Sequence, residues 1–350
     1  MYRRMQIVVA LLGLTSLAAC ALGGRPSSTP GAPHAKAGGV LDISKLPKGS
    51  PPRIPWVDGR FLHMGTTSVK LNAVEHVAVT KTRIVTAHVG TIEVRGRDGR
   101  LQKTYTAGTG AIALNPERTV VAWLAPDATP MVLEDGQTAP LAMPADQGGE
   151  PGDVVAVNGH DCSHDAETVE GAGCTVYFRT EGDTTQTFVS SSHGFAEPVT
   201  KGDDYLADVS PDGDLLIGVS ANLYKVCTRY EGKTKVKSCS FSPLSFSPDG
   251  TRILGNPSTM GDGPTSPGFN VHVAATGKQL AKWTAPDGIW ESVWEDNSHV
   301  LALMLAGDNS SWLIVRAGLD GIKEVAVPPV RHGKKKATPE FASLGFAVQP

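Results

Sequence analysis

Apolar residues along this chain alternate with polar ones in short runs, and Gly, Pro, Asp and Asn cut the runs at regular intervals. Val271 and Val273 precede the polar turn Thr276-Gly277-Lys278, and Leu280 and Trp283 follow it. A period of two puts successive side chains on opposite faces, so this stretch predicts a β-hairpin. The same pattern predicts hairpins from Phe61 to Leu71 across Gly65-Thr66, Ile92 to Tyr105 around Asp98-Gly99 and Met131 to Met143 around Asp135-Gly136. Further copies run from Tyr177 to Val189 around Glu181-Gly182, Tyr224 to Cys239 near Glu231-Gly232 and Leu313 to Val327 near Asp320-Gly321. No long stretch has the 3.6-residue period of an amphipathic helix, so the chain is expected to be all-β.

A second hairpin precedes most of these. Two carry the turn Ser-Pro-Asp-Gly, at Ser210-Pro211-Asp212-Gly213 and Ser247-Pro248-Asp249-Gly250. Proline presets φ for the first turn position, Asp bonds to nearby backbone and Gly accepts a positive φ, so the four residues reverse one strand into the next. Worn copies stand at Asn115-Pro116-Glu117-Arg118, Glu295-Asp296-Asn297 and Lys81-Thr82, and the run from Asp153 to Asn158 leads into a long insertion bearing His and Cys. Two hairpins per period of forty-odd residues make four strands, which is the arithmetic of a β-propeller blade. The outer hairpins are seven, so seven blades are expected, or six if Phe61 to Leu71 does not form one, with the ring closed by pairing of the C-terminal run Phe341, Leu344, Phe346 and Val348 with that N-terminal hairpin.

A Ser-Pro-Asp-Gly turn followed by a Thr-Gly-Lys turn, as at Gly250 and Gly277, resembles the WD40-like repeats of the Tol-system periplasmic propeller. The resemblance covers roughly residues 54 to 350, without the Trp-Asp ending of true WD40 repeats, and implies a fold and a binding role rather than a reaction.

The N-terminus changes the picture of where such a ring works. Arg3 and Arg4, the apolar run Ile7 to Leu17 and then small residues have the order of an export peptide, and the apolar run is too short for a stable membrane span. Leu17-Ala18-Ala19-Cys20 resembles the bacterial lipobox, in which the cysteine is lipidated and the peptide is cut before it. Residues 1–19 are thus expected to be a lipoprotein signal peptide and Cys20 the membrane anchor. Residues 20–53, rich in Gly, Pro and Ser, are expected to be a tether with a reach of roughly 30 Å, and residues 54–350 a single propeller domain. With the cysteines, the whole resembles an actinobacterial lipoprotein of the WD40-like type.

Charge excludes one class of partner. The 32 basic and 35 acidic residues give a net charge of −3, and loss of Arg3 and Arg4 with the peptide leaves −5. No basic face for nucleic acid is implied, and the dense run Arg331, His332, Lys334, Lys335 and Lys336 has the character of a solvated loop. The remaining cysteines, Cys162, Cys174, Cys227 and Cys239, form an even set in an exported chain. Three pairings are possible in principle. Cys162 with Cys174 and Cys227 with Cys239 are each separated by a span that suits neighbouring hairpin strands.

Candidate chemistry is sparse. His160, Asp161, His164 and Asp165 are the densest set of metal-ligand side chains, but on a loop i and i+4 do not share a face, and a disulfide at Cys162 removes its thiolate. Ser190-Ser191-Ser192-His193 has a nucleophile and a base but no Gly-x-Ser-x-Gly elbow. Thr276-Gly277-Lys278 with Trp283 resembles one tryptophan-docking turn of the quinoprotein propellers, which repeat it around the ring, whereas here it occurs once. No catalytic residue, metal or other cofactor is therefore expected. Trp290 and Trp294 are the candidate ligand contacts, if they are exposed at the mouth of the ring. The sequence points to a membrane-anchored extracytoplasmic module that binds a protein, peptide or glycan. An extracytoplasmic propeller enzyme of the metal-dependent hydrolase or lactonase type is the alternative. Acidic or His side chains in the channel would favour the enzyme, and an apolar or aromatic patch would favour binding.

Overall fold

The computed structural model describes residues 37–71, 75–88, 90–143, 150–162, 173–181, 186–199, 204–222, 225–231, 237–238, 241–257, 265–306, 311–331 and 344–346. These residues are almost entirely strand and turn, with one short 3-10 helix at Ile43–Lys45. Among them no helix is long and apolar enough to cross a membrane.

The strands form five four-stranded antiparallel sheets and one of eight strands. The first sheet orders Leu344–Phe346, Trp56–Asp58, Phe61–Met64 and Thr67–Lys70. The second runs His76–Val79, Arg83–His88, Thr91–Gly96 and Leu101–Thr106, and the third Ala113–Leu114, Val120–Leu124, Pro130–Glu134 and Gln137–Pro140. The fourth is Glu150–His160, Gly173–Glu181, Gln186–Ser191 and Ala196–Pro198, and the fifth Asp204–Val209, Leu216–Asn222, Lys225–Glu231 and Lys237–Ser238. The sixth contains Phe241–Phe246, Arg252–Pro257, Ser266–Val273, Gln279–Trp294, His299–Leu305, Ser311–Gly318 and Lys323–Arg331, with Gly39–Val40 added in parallel.

The long strand Gln279–Trp294 explains the sixth sheet's size. Its 279–284 part pairs with Ser266–Val273 and its 289–294 part with His299–Leu305. Gly288 lies between them at φ 77°, a left-handed conformation that only Gly adopts without strain. The sheet is thus two four-strand series joined by one continuous strand.

Repetition in sequence becomes repetition in packing. Val79 and Ile84 of the second sheet pack with Val57 and Leu62 of the first, Val94 with Trp123 of the third, and Leu124 of the third with Phe178 of the fourth. Ala156 packs with Leu206, Ile217 with Phe246, and Leu254 with Trp294. Finally Leu301 and Ile314 pack with Ile54 and Trp56, back at the first sheet. Each strand series buries one face against the next, which is how β faces that cannot bury themselves become a core.

Hydrogen bonds stitch some of the same neighbours. The Asn115 side chain donates to the Gly159 carbonyl at 2.9 Å, and Asn158 donates to that of Ser210 at 3.0 Å. Within the turn, the Ser247 hydroxyl donates to Asp249 at 2.6 Å and accepts from the Arg252 N–H at 3.0 Å, while Gly250 holds φ 68°. Asn115 and Ser247 are fully buried, and their local bonds satisfy what would otherwise be orphaned polar groups.

Part of the stretch whose composition suggests a tether is instead fixed to the sheets. Gly39 and Val40 pair with Trp283 and Thr284, Leu41 is fully buried, and Gly49 donates its N–H to Val325 at 2.9 Å. The sparse apolar residues Leu41 and Ile54 suffice here because the surface they cover already exists, and they need build no core of their own.

Candidate functional site

Four first strands carry a β-bulge. Val154 pairs with Phe178 and Ala156 with Tyr177, which leaves Val155 with no opposite residue. Ala207 is left over in the same way between Leu206 and Asp208, Leu244 between Pro243 and Ser245, and Trp290 between Ile289 and Glu291. A bulge bends its strand and re-aims the extra side chain. All four extra residues line one cavity of about 430 Å³, where the first strands of the fourth, fifth and sixth sheets converge with the 289–294 part of the long strand.

One carboxylate stands out in that wall. Asp208 is partly buried; its Oδ2 accepts from the Phe246 N–H at 2.7 Å and its Oδ1 from the Val209 N–H at 2.8 Å. Burial pushes its pKa up to about 7, against the two amides, which favour the charged form. Glu295 also lines the cavity but is committed elsewhere. Its side chain is fully buried, and Arg316 Nη2 donates to its Oε1 at 2.6 Å. That bond to Glu295 is the main reason the Arg316 pKa is raised. Among the described residues lining the cavity there is no His, Lys, Arg or Cys.

The structure brings the two candidate tryptophans to this cavity, but in different ways. Trp294 is 4% exposed, and its indole N–H donates to the Ser245 carbonyl at 3.4 Å. Trp290 is less buried and meets Trp312 edge-on at 5.6 Å. Trp283, of the docking-turn resemblance, is fully buried and stacks on Phe269 at 4.9 Å, so it is a packing residue.

Two of the four metal-ligand candidates fall among the described residues. His160 and Asp161 are both exposed, with Nδ1 and Oδ2 3.7 Å apart, and His164 and Asp165 lie outside the described residues. Cys162 and Cys174 are joined in a disulfide, with Cα atoms 4.9 Å apart. Glu134 beside it accepts the Asp161 and Cys162 N–H groups at 2.9 and 2.8 Å, so its carboxylate fixes the loop entrance. The hydroxyls of the Ser run are also taken up structurally: Ser190 donates to the Ala142 carbonyl at 2.6 Å, and Ser192 accepts from the Cys174 N–H at 2.9 Å. Cys20, Cys239, the side chain of Cys227 and the basic run beyond Arg331 lie outside the described residues.

Sequence reasoning missed Asp208 and the bulges. A trace of the first was present, since Asp208 is a charged residue inside the strand run Leu206 to Val209, two positions before Ser210 of the turn. A bulge leaves no comparable mark in one chain's sequence, because it is set by the register between two paired strands.

Comparison with known proteins supports the architecture. No family model matches the chain, and no curated protein sequence matches it. Among solved structures, the Dos1 propeller aligns with a TM-score of 0.50 at 11% identity, over 79% of this chain and 74% of its own. A structure assigned to TolB from Agrobacterium tumefaciens aligns at 0.44 and 13% identity, over 65% of this chain and 85% of its own. TolB from Acinetobacter baumannii aligns at 0.45 and 13%, over 72% and 64% respectively. At such identities the likeness concerns the fold alone. The chain is an all-β protein of the β-propeller class.

Proposed function

We propose that this chain is a membrane-anchored, extracytoplasmic WD40-like propeller that acts as a binding or scaffolding module for a protein, peptide or cell-envelope ligand. The ring has seven blades: the first five sheets, and the two halves of the sixth. Three observations support the ring: each series packs on the next, Ile54 and Trp56 pack on the last, and Trp56 pairs with Phe346. Anchoring through Cys20 rests on the Leu17-Ala18-Ala19-Cys20 box and the apolar run before it.

The single observation that carries the binding role is the cavity. Four bulges that direct Val155, Ala207, Leu244 and Trp290 to one place build an apolar concavity of about 430 Å³, within the range of small-ligand sites. A photocrosslinking residue placed at Leu244 in the native host should capture ligand, whereas one at the exposed outer-strand residue Leu101 should not. Adducts at Leu101 alone would move the binding face elsewhere. In the same cells, Cys20→Ala should release the protein from the membrane fraction or block its maturation. An uncut, unmodified N-terminus by intact mass would remove the anchor.

A further inference from the structure

We propose that the cavity binds a protonated primary amine carried on an apolar stem, with the Asp208 carboxylate as its counter-ion and Trp290 against the stem. This deepens the reading of the cavity as a binding site and rests on it. The walls supply the apolar part through Val155, Leu244, Phe246, Ile289 and Val293. The polar part is one-sided. Carboxylates on Asp208, Glu291 and Glu295 line the site and no cationic side chain among the described residues does, so an anionic ligand would meet charge of its own sign. Glu295 is already paired with Arg316 and Glu291 is engaged as well, which makes Asp208, whose oxygens take only backbone N–H groups, the acceptor to explain.

Each Asp208 oxygen takes one backbone N–H, while a carboxylate offers about four acceptor positions. Two positions therefore remain for the N–H groups of an ammonium ion. In the same wall the Ser292 hydroxyl, in a residue 9% exposed, has no partner among the protein atoms. It is a buried polar atom of the cavity wall that a rotation of its side chain would offer to a ligand. Trp290 lines the same wall, and an indole within reach of an ammonium group adds a cation–π attraction that favours it over neutral groups.

The carboxylate must be ionised to serve, so binding carries a pH signature. From the other elements lining the cavity the titratable groups are Glu291 and Glu295 alone; the nearby Asp249 is tied to Ser247 and Arg252, and Asp153 to Arg179. With the Asp208 pKa raised to about 7 by burial, amine affinity should rise as the pH rises towards 7 and then level off while the amine stays charged.

Calorimetric titration of the intact protein with hexylamine, hexanol and hexanoate at pH 6, 7, 8 and 9 tests this. Hexylamine should bind at least about tenfold tighter than hexanol at pH 8, hexanoate weakest, and amine affinity should fall by roughly tenfold per unit well below pH 7. Asp208→Asn should abolish the preference for the amine and its pH dependence. A parallel arm with doubly blocked lysine, Nα-acetyl-lysine amide, separates sources: tighter binding than hexylamine points to a lysine side chain of a partner, weaker binding to a free amine. Because the charge comparison and the pH profile need no variant, a poorly folding Asp208→Asn does not rescue the idea. Equal affinity for amine and alcohol, or no binding of hexylamine, overturns the amine assignment. Crosslinking at Leu244 would in either case still judge the cavity as a binding site.

Discussion

The Oδ2 atom of Asp208 in the fifth sheet accepts a hydrogen bond from the backbone N–H of Phe246 in the sixth, at 2.7 Å. A titratable group thus bridges two sheets at the wall of the cavity. Its pKa of about 7 lies above the ordinary 3.8, so the folded state holds this proton more tightly than the unfolded chain. The resulting stability is fully present below about pH 4 and is lost as the pH rises through 7. Between pH 5 and 8 the native protein should therefore lose on the order of 1 to 2 kcal/mol from this group, a figure held down by its partial exposure. Asp208→Asn removes one amide acceptor, at a cost of about 1 kcal/mol, but should flatten that slope. Urea midpoints at pH 5, 6, 7 and 8 check it, and a parallel decline in both proteins would assign the slope to other groups.

Cys162 and Cys174 close a short loop at the edge of the fourth sheet, and both are buried. In the chain-entropy view a crosslink of this span stabilises by roughly 3 kcal/mol. The double substitution Cys162→Ala, Cys174→Ala should lower the unfolding free energy, read from the denaturant transition, by an amount of that order. Non-reducing peptide mapping should recover 162 with 174, and Cys227 with Cys239 as the spacing suggests. Four alkylatable thiols in the folded protein would refute both pairs.

What the sequence made legible is what local chemistry determines. The turns at Gly65, Gly99, Gly136, Gly277 and Gly321 join paired strands because each Gly accepts the positive φ the turn requires, and Asp98, Asp135 and Asp320 precede three of them. The Cys162–Cys174 pair follows for the same reason, from hairpin spacing. The cavity was not legible, because it depends on non-local register: Leu244 acquires its role only when Pro243 and Ser245 pair with Gly255 and Leu254. The fixing of Gly39 to Ile54 was hidden in another way. Composition can say that a segment builds no core, but not that a finished surface awaits it. Trp290 and Trp294 were legible as aromatics near a first strand, though not as members of one cavity wall.

Arg316 anchors that N-terminal stretch and should be among the least tolerant positions. It is 2% exposed, is paired with Glu295 and Glu324, and donates to the Ser50 and Pro51 carbonyls at 3.1 Å each. Arg316→Met leaves the buried Glu295 carboxylate without its main counter-charge, an effect worth about 3 to 5 kcal/mol in buried pairs. Adding Glu295→Leu removes the stranded charge, so the double variant should be more stable than the single one. Denaturant midpoints measure the order, and trypsin should cut at Arg53 faster in both. If the double variant is the less stable, the pair is not coupled in this way.

The C-terminal strand sets the last prediction. Trp56, Val57 and Asp58 pair with Phe346, Gly345 and Leu344, so the last strand described lies against the first strand of the first sheet. Removing residues 340 to 350 turns Trp56–Asp58 into an unpaired edge. The neighbouring contacts make that edge costly, since Trp56 stacks on His63 with ring centres 4.0 Å apart and joins Ile54 in the cluster with Leu301 and Ile314. Losing the hydrogen bonds of three residue pairs, at about 1 kcal/mol each before local relaxation, should lower the thermal midpoint of the whole domain by several degrees. If the strand closes a ring, the loss is cooperative: one transition should remain, shifted down, because every series leans on its neighbours. A truncated protein that melts like the full-length chain would mean that residues 344 to 346 add nothing to the fold, and with that the closed seven-blade ring would lose its seam.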